Sequence, residues 1–260
     1  MPLDNSINYL AVTDMHNNAS IQNIAPKWKL KDFAMVIITI ACLILTVNTI
    51  GTAFNASRLI LNSPYHHWWN LVLFLVQEAI FIIPVYVLII RKYRLSASAF
   101  GFVKIKFWQT IKWILKGFGL VFLFNILFAL ITARFEIDFP GFDRQISHVP
   151  LFGTTPFGIF LGIIVLIIIA PVVEEFIFRG FVLQTFLGKF KPIIANIISA
   201  GIFAIIHFEF QSIGIILFLA FVLNWIFIRS KSLWPSIGFH MMNNALVFLV
   251  EILEWQGYLS

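Results

Sequence analysis

Charged residues are scarce in this chain: Asp, Glu, Lys and Arg make up only 12% of its 260 residues, about half the ~25% usual in a soluble domain. Acidic residues are the scarcer sign, 12 against 18 basic ones, which leaves a net charge of +6. A water-facing surface cannot be covered from so small a charged set, so a soluble globule is excluded. Cysteine occurs once, at Cys42 inside an apolar run, which excludes an intrachain disulfide and a cysteine-based metal cluster. The polar-apolar alternation of outer-membrane strands is missing too. Apolar runs such as Phe160–Ala170 are continuous, which argues against a transmembrane β-barrel. No repeat of fixed period stands out.

What is present is apolar and aromatic: 60% hydrophobic residues, 17% aromatics with 30 Phe, and a mean hydropathy of +0.93. At about 20 apolar residues per span, six to eight transmembrane helices fit. The expected fold is an all-α polytopic bundle of about seven spans in three regions. Residues 1–26 are polar and Asn-rich and read as a soluble, disordered tail. Residues 27–155 hold spans over 33–54, 68–90 and 113–133. Between the last two, over 96–116, Lys104, Lys106, Lys112 and Lys116 interleave with Phe100, Phe102, Phe107, Trp108 and Trp113. Such a basic-aromatic segment suits an anionic membrane surface rather than nucleic acid. Residues 156–260 hold apolar runs over 157–187, 192–208, 213–228 and 235–253. The first apolar run is longer than a signal sequence requires and is expected to stay in the mature chain.

The basic residues sort by side once the spans alternate. With the amino terminus in the cytoplasm, fourteen of the 18 Lys and Arg residues fall inside, while Arg58, Arg134 and Arg144 fall outside. This bias gives an N-in, C-out orientation and accounts for the net positive charge without nucleic acid. Arg179 is left over, within a span.

Ionisable groups inside a bilayer are costly, about 2.5–3.5 kcal/mol each on insertion scales, and therefore tend to face the protein interior and to carry function. Here they are Glu78, Glu174, Glu175, Arg179, His207 and His240, with Asn224, Asn243 and Asn244 as neutral companions. Glu175 and Arg179 are spaced i, i+4 and can pair on one helix face. Glu174 is turned about 100° away with no local counter-ion, and so is the carboxylate free to act as a base. Pro171 is expected to break the helix at this level. His240 and Asn244 again share a face at i, i+4. Taken one at a time, these elements read equally well as a structural salt bridge, a packing histidine and polar glue between helices.

Taken together, a Glu-Glu-x-x-x-Arg element, a Phe-x-x-x-His element at Phe203–His207 and a His-x-x-x-Asn element, on three spans, resemble the motif set of the CAAX protease and bacteriocin-processing (CPBP, or Abi) family of intramembrane proteases. The resemblance covers residues 157–253; the first three spans show no matching motif. It implies that Glu174 activates a water for attack on a peptide carbonyl, that His207 helps hold this water, and that His240 and Asn244 stabilise the oxyanion. Glu175 and Arg179 would support the site.

The implied function is an intramembrane endopeptidase in the bacterial cytoplasmic membrane, acting on a membrane-associated peptide or protein, in peptide maturation or bacteriocin self-immunity. No cofactor is expected. The alternative is a zinc site held by Glu174, His207 and His240, a three-ligand set with an open position for water; the His-Glu-x-x-His zinc helix does not occur. The rivals from other classes are a non-catalytic immunity protein and a transporter, the latter disfavoured because its polar residues would be spread over both halves.

Overall fold

Within a bilayer every backbone N–H and C=O has to be satisfied by the chain itself, and continuous apolar runs achieve this as helices. In the computed structural model, which describes residues 26–63, 65–136, 139–143, 145 and 147–258, the described residues contain no strand. The polar tail, apart from Pro26, lies outside the described residues, as does Arg144. The principal helices are α1 (Leu30–Ala53), α2 (His66–Arg91), α3 (Phe107–Phe135), α4 (Pro156–Leu187), α5 (Pro192–Ile206), α6 (Phe210–Ser230) and α7 (Leu233–Trp255). Six of them are long and apolar enough to cross a membrane, and the protein is a multi-pass membrane protein. The fifth expected span, 192–208, is a short helix. At 15 residues, α5 extends about 22 Å, against a hydrocarbon core of about 30 Å.

The helices divide into an inner and an outer set. In the most apolar stretches of α6 and α4, 44% and 39% of residues are buried, against 11% in α1 and α3. The outer pair present Ile38, Leu45, Phe122 and Leu130 outward, as lipid-facing helices do. Helix α4 is the hub and packs against α2, α5, α6 and α7. Close approach is secured where side chains are missing: a Cβ on Gly162 of α4 would stand 2.4 Å from the Phe248 ring of α7, and one on Gly117 of α3 would stand 2.9 Å from Phe239.

Pro171 does not break α4, contrary to the expectation. The helix instead widens to i→i+5 bonding over Ile163–Ile169 and Phe176–Leu183, on either side of Ala170–Glu175. A proline lacks an N–H and crowds the carbonyl one turn earlier, and a wider turn accommodates both without ending the helix. Pro84 in α2 is followed by a similar stretch, Tyr86–Arg91. Gly180 lies within the second wide stretch of α4, where the carbonyl of Phe100 approaches to 3.0 Å from where a Cβ would be.

One end of the bundle gathers the basic clusters. The Trp28 indole N–H donates to Thr185 Oγ1 at 2.8 Å, and its ring stacks on Phe100 at 5.3 Å. This ties the start of α1 to the end of α4. Ser232 caps α7 and donates to the Val103 carbonyl at 2.7 Å, while the Leu233 N–H reaches the Gly101 carbonyl. Gly101 supplies the left-handed turn, φ +96°, that this requires. The basic-aromatic segment is thus not one interfacial strip. Phe107 and Trp108 are exposed, but Phe100 is fully buried.

Asp32, 1% exposed, closes this end by accepting hydrogen bonds from Lys92 Nζ, from Tyr93 Oη at 2.6 Å and from the Lys29 N–H at 2.8 Å. Its carboxylate holds Lys92 above the ordinary lysine value. Because Asp32 is buried and Lys92 half exposed, the two ends of the pair are unequal. Asp32→Ala should cost about 1–3 kcal/mol in equilibrium unfolding in mixed detergent micelles, since it strands several donors, whereas Lys92→Ala should cost clearly less, because its ammonium reaches solvent. Equal losses would show that Lys92 alone carries the clamp.

Candidate active site

Four helices converge on one buried network. Arg179, fully buried, donates from Nη1 to Glu175 Oε1 at 2.8 Å and from Nη2 to the Ala220 carbonyl of α6 at 3.4 Å. Its guanidinium lies 4.6 Å from the centre of the Phe203 ring of α5. His240 of α7 places Nδ1 2.9 Å from the same Glu175 oxygen and Nε2 3.7 Å from Glu174 Oε2. A carboxylate only accepts, so Nδ1 carries the proton and Nε2 is the atom turned to Glu174. The sequence left Glu174 without a local counter-ion; α7 supplies the imidazole from across the bundle. Glu175 is fully buried, whereas the Glu174 side chain is 26% exposed. The two adjacent carboxylates therefore have different tasks. Glu175 orients Arg179 and His240, and Glu174 faces open space.

That space is a cavity of about 680 Å³, lined by Glu78, Glu174, His207, His240, Asn243 and Asn244 and reaching Gln145, His148, Glu209 and Glu251 at the end opposite the basic clusters. His207 ends α5, and its ring donates from Nδ1 to the Phe203 carbonyl at 2.7 Å. An unpaired carbonyl of the last turn is thereby satisfied, and Nε2 is the ring nitrogen left to meet a ligand.

Asn244 has a task the motif did not suggest. Its Nδ2 donates to the Leu166 carbonyl at 3.0 Å. In the wide register of α4, the Ala170 N–H bonds to Val165, so the next bond would run from residue 171 to Leu166. Pro171 has no N–H to give, and Asn244 provides the missing donor. Its second amide N–H and its oxygen are not used in that bond.

The expected residues Glu174, Glu175, Arg179, His207, His240 and Asn244 all lie in or directly behind this cavity. The zinc alternative would draw on Glu174, His207 and His240 as ligands. Among the described residues, no three His, Cys, Asp or Glu side chains are grouped so as to hold a metal. Asn224, a neutral companion, serves elsewhere: it donates to Asn196 Oδ1 at 3.0 Å and fastens α5 to α6. Sequence reasoning missed His148 and Glu251. Glu251 follows Asn244 at i+7 on the same face of α7, which was a readable signal, but His148 lies in a loop with no period.

Glu251 accepts from the His148 N–H at 2.8 Å, from Ser147 Oγ at 3.2 Å and faces His148 Nδ1 at 3.4 Å. The hydrogen bond to Glu251, with weaker attraction from Glu209 and Glu174, holds His148 above its ordinary value of 6.5. A raised folded value means stability that is fully present below the unfolded value and fades as pH rises through the folded one. The stability difference between wild type and Glu251→Gln should therefore shrink as the pH is raised from about 6 to about 9. Measured by chemical unfolding, a difference constant over that range would remove His148 from the account.

Comparison with known proteins agrees with the motif set. The family model described as type II CAAX prenyl endopeptidase Rce1-like matches residues 156–246. The chain is 27% identical over 152 residues to the Bacillus subtilis (strain 168) protein named "Putative membrane peptidase YdiL", covering 58% of this chain and 60% of that one. It is 26% identical over 156 residues to the "Membrane-embedded CAAX protease MroQ" of Staphylococcus aureus (strain USA300), covering 55% and 59%. The matches thus span about three fifths of the length of these relatives. No solved structure matches the chain.

Proposed function

We propose, from the match of residues 156–246 to the family model of Rce1-like type II CAAX prenyl endopeptidases, that this protein is an intramembrane endopeptidase using a glutamate-activated water. The observation that carries the reading is the pairing of a partly exposed Glu174 with a fully buried Glu175 across one histidine, at the wall of a cavity large enough for a peptide segment.

Peptide hydrolysis without a Ser or Cys nucleophile needs a water, a base for its proton, and donors for the developing oxyanion. Glu174 takes the proton as the water oxygen attacks the carbonyl carbon. The negative charge that develops on the carbonyl oxygen is met by the second amide hydrogen of Asn244 and by the His240 ring, which donates from Nε2 when it also carries a proton there, while His207 Nε2 accepts a hydrogen of the attacking water. Glu174 then returns the proton to the leaving amine as the carbon–nitrogen bond breaks. Arg179 and Glu175 hold the His240 ring in place. The substrate is a membrane-associated peptide or protein, in the setting of peptide maturation or bacteriocin self-immunity.

The relevant comparison is cleavage of membrane-associated peptides by the purified protein in detergent, before and after exhaustive chelation, beside Glu174→Gln. Cleavage is expected to survive chelation and to fall at least a hundredfold in Glu174→Gln, the scale of losing a general base (~10²–10⁴). Loss on chelation would overturn the metal-free mechanism. Activity retained in Glu174→Gln would overturn the base assignment.

The end of the bundle that collects the basic clusters is the cytoplasmic one in this reading, following the positive-inside rule. The polar cavity is then entered from the outer half of the membrane. In a Cys42→Ala background, a membrane-impermeant thiol reagent applied to intact cells should label Tyr258→Cys and spare Phe190→Cys. The reverse pattern would invert the orientation.

A further inference from the structure

The cavity contains a carboxylate for which the hydrolytic mechanism has no task. Glu78 sits midway along α2, in the half of the chain outside the family match, and only 6% of the residue is exposed. It lines the same cavity as Glu174 and interacts with it electrostatically. The other carboxylates there have partners: Glu174 has His240, Glu251 has His148 and Ser147, and Glu209 has Ser212. Among the described residues, Glu78 has neither a hydrogen-bond donor nor a counter-ion. No Lys or Arg is found among the described residues that line the cavity.

A carboxyl group in mid-span with no partner is costly to ionise, and a ligand cation that pairs with it offsets that cost. Gln77 and Asn48 line the same cavity. They add neutral hydrogen-bonding groups and no competing cation. We propose that Glu78 forms a substrate subsite that takes a positively charged side chain, Lys or Arg, of the bound peptide. The cation pairs with Glu78 while the chain passes Glu174, so the subsite fixes which peptide bond meets the base. This builds on the endopeptidase reading, but the subsite is a binding property and can be measured without turnover.

The test uses the full chain in nanodiscs of neutral phosphatidylcholine, so that lipid charge does not concentrate cationic peptides. Fluorescent Leu/Ser-rich membrane peptides carry a single Lys moved along the sequence, each matched by a Lys→Gln control. At one register the Lys peptide should bind at least tenfold more tightly than its control, in wild type and in Glu174→Gln alike. The near-isosteric Glu78→Gln should reduce that preference below twofold, and Glu78→Asp should restore part of it, with thermal midpoints confirming that both variants fold. Absence of any register preference in wild type would overturn the subsite, as would a preference that persists in Glu78→Gln or is lost in Glu174→Gln. If Glu174→Gln still cleaves while the Lys preference depends on Glu78, the catalytic assignment fails and the subsite stands.

Discussion

Everything at the centre of this protein depends on Arg179 being held, fully buried, between Glu175, the Ala220 carbonyl and the Phe203 ring. A guanidinium cannot shed its proton as a lysine can, so the charge has to be answered by the fold. Glu175 answers it and in doing so fixes His240, which fixes the geometry opposite Glu174. Removing one member of a buried ion pair typically costs about 3–5 kcal/mol, because the other is left charged and unpaired. The pair is therefore a constraint on where α4, α5, α6 and α7 stand more than a reserve of stability.

The segment of α4 that holds this pair is flanked by irregularity. Wide stretches lie on either side of Ala170–Glu175, and within that regular turn helix rotation points Glu174 to the cavity and Glu175 inward. The cost of the irregularity is an unpaired carbonyl at Leu166, and a side chain from another span, Asn244, answers it. In water a stray carbonyl finds solvent; inside a bilayer it needs a designated partner. Asn244 thus couples the shape of α4 to the position of α7, and the two halves of the site cannot shift independently.

How much could be read from the sequence follows from the same economy of polar groups. The intramembrane Glu, Arg, His and Asn residues were legible because a bilayer makes each of them costly. Every one placed at the candidate site by its motif lies at the cavity or directly behind it. The all-helical bundle was legible from run length alone. The wide turns were not, since a proline in an apolar run can break, kink or widen a helix, and neighbours decide which. Helix α5 was read as running to Phe208, because Phe208 continues the apolar run past the point where His207 ends the helix. Phe100 looked interfacial by company and proved central by packing, because the stacking partner Trp28 is 72 residues away in sequence.

Glu78 shows where motif reading stops and structural reading begins. A carboxylate in an apolar helix is visible from sequence, but whether it is partnered is a question about every other element around it. His240, His148 and Ser212 each answer a neighbouring carboxylate, and none answers Glu78. The cavity is thus asymmetric: the α4–α7 wall carries a fixed, internally compensated network, while the α2 wall carries a buried carboxyl group with no partner among the described residues. A peptide entering between them meets hydrogen-bond donors on one side and an acceptor for a cation on the other. That arrangement can orient a chain before any bond is broken, which is the part of hydrolysis that a base alone does not supply.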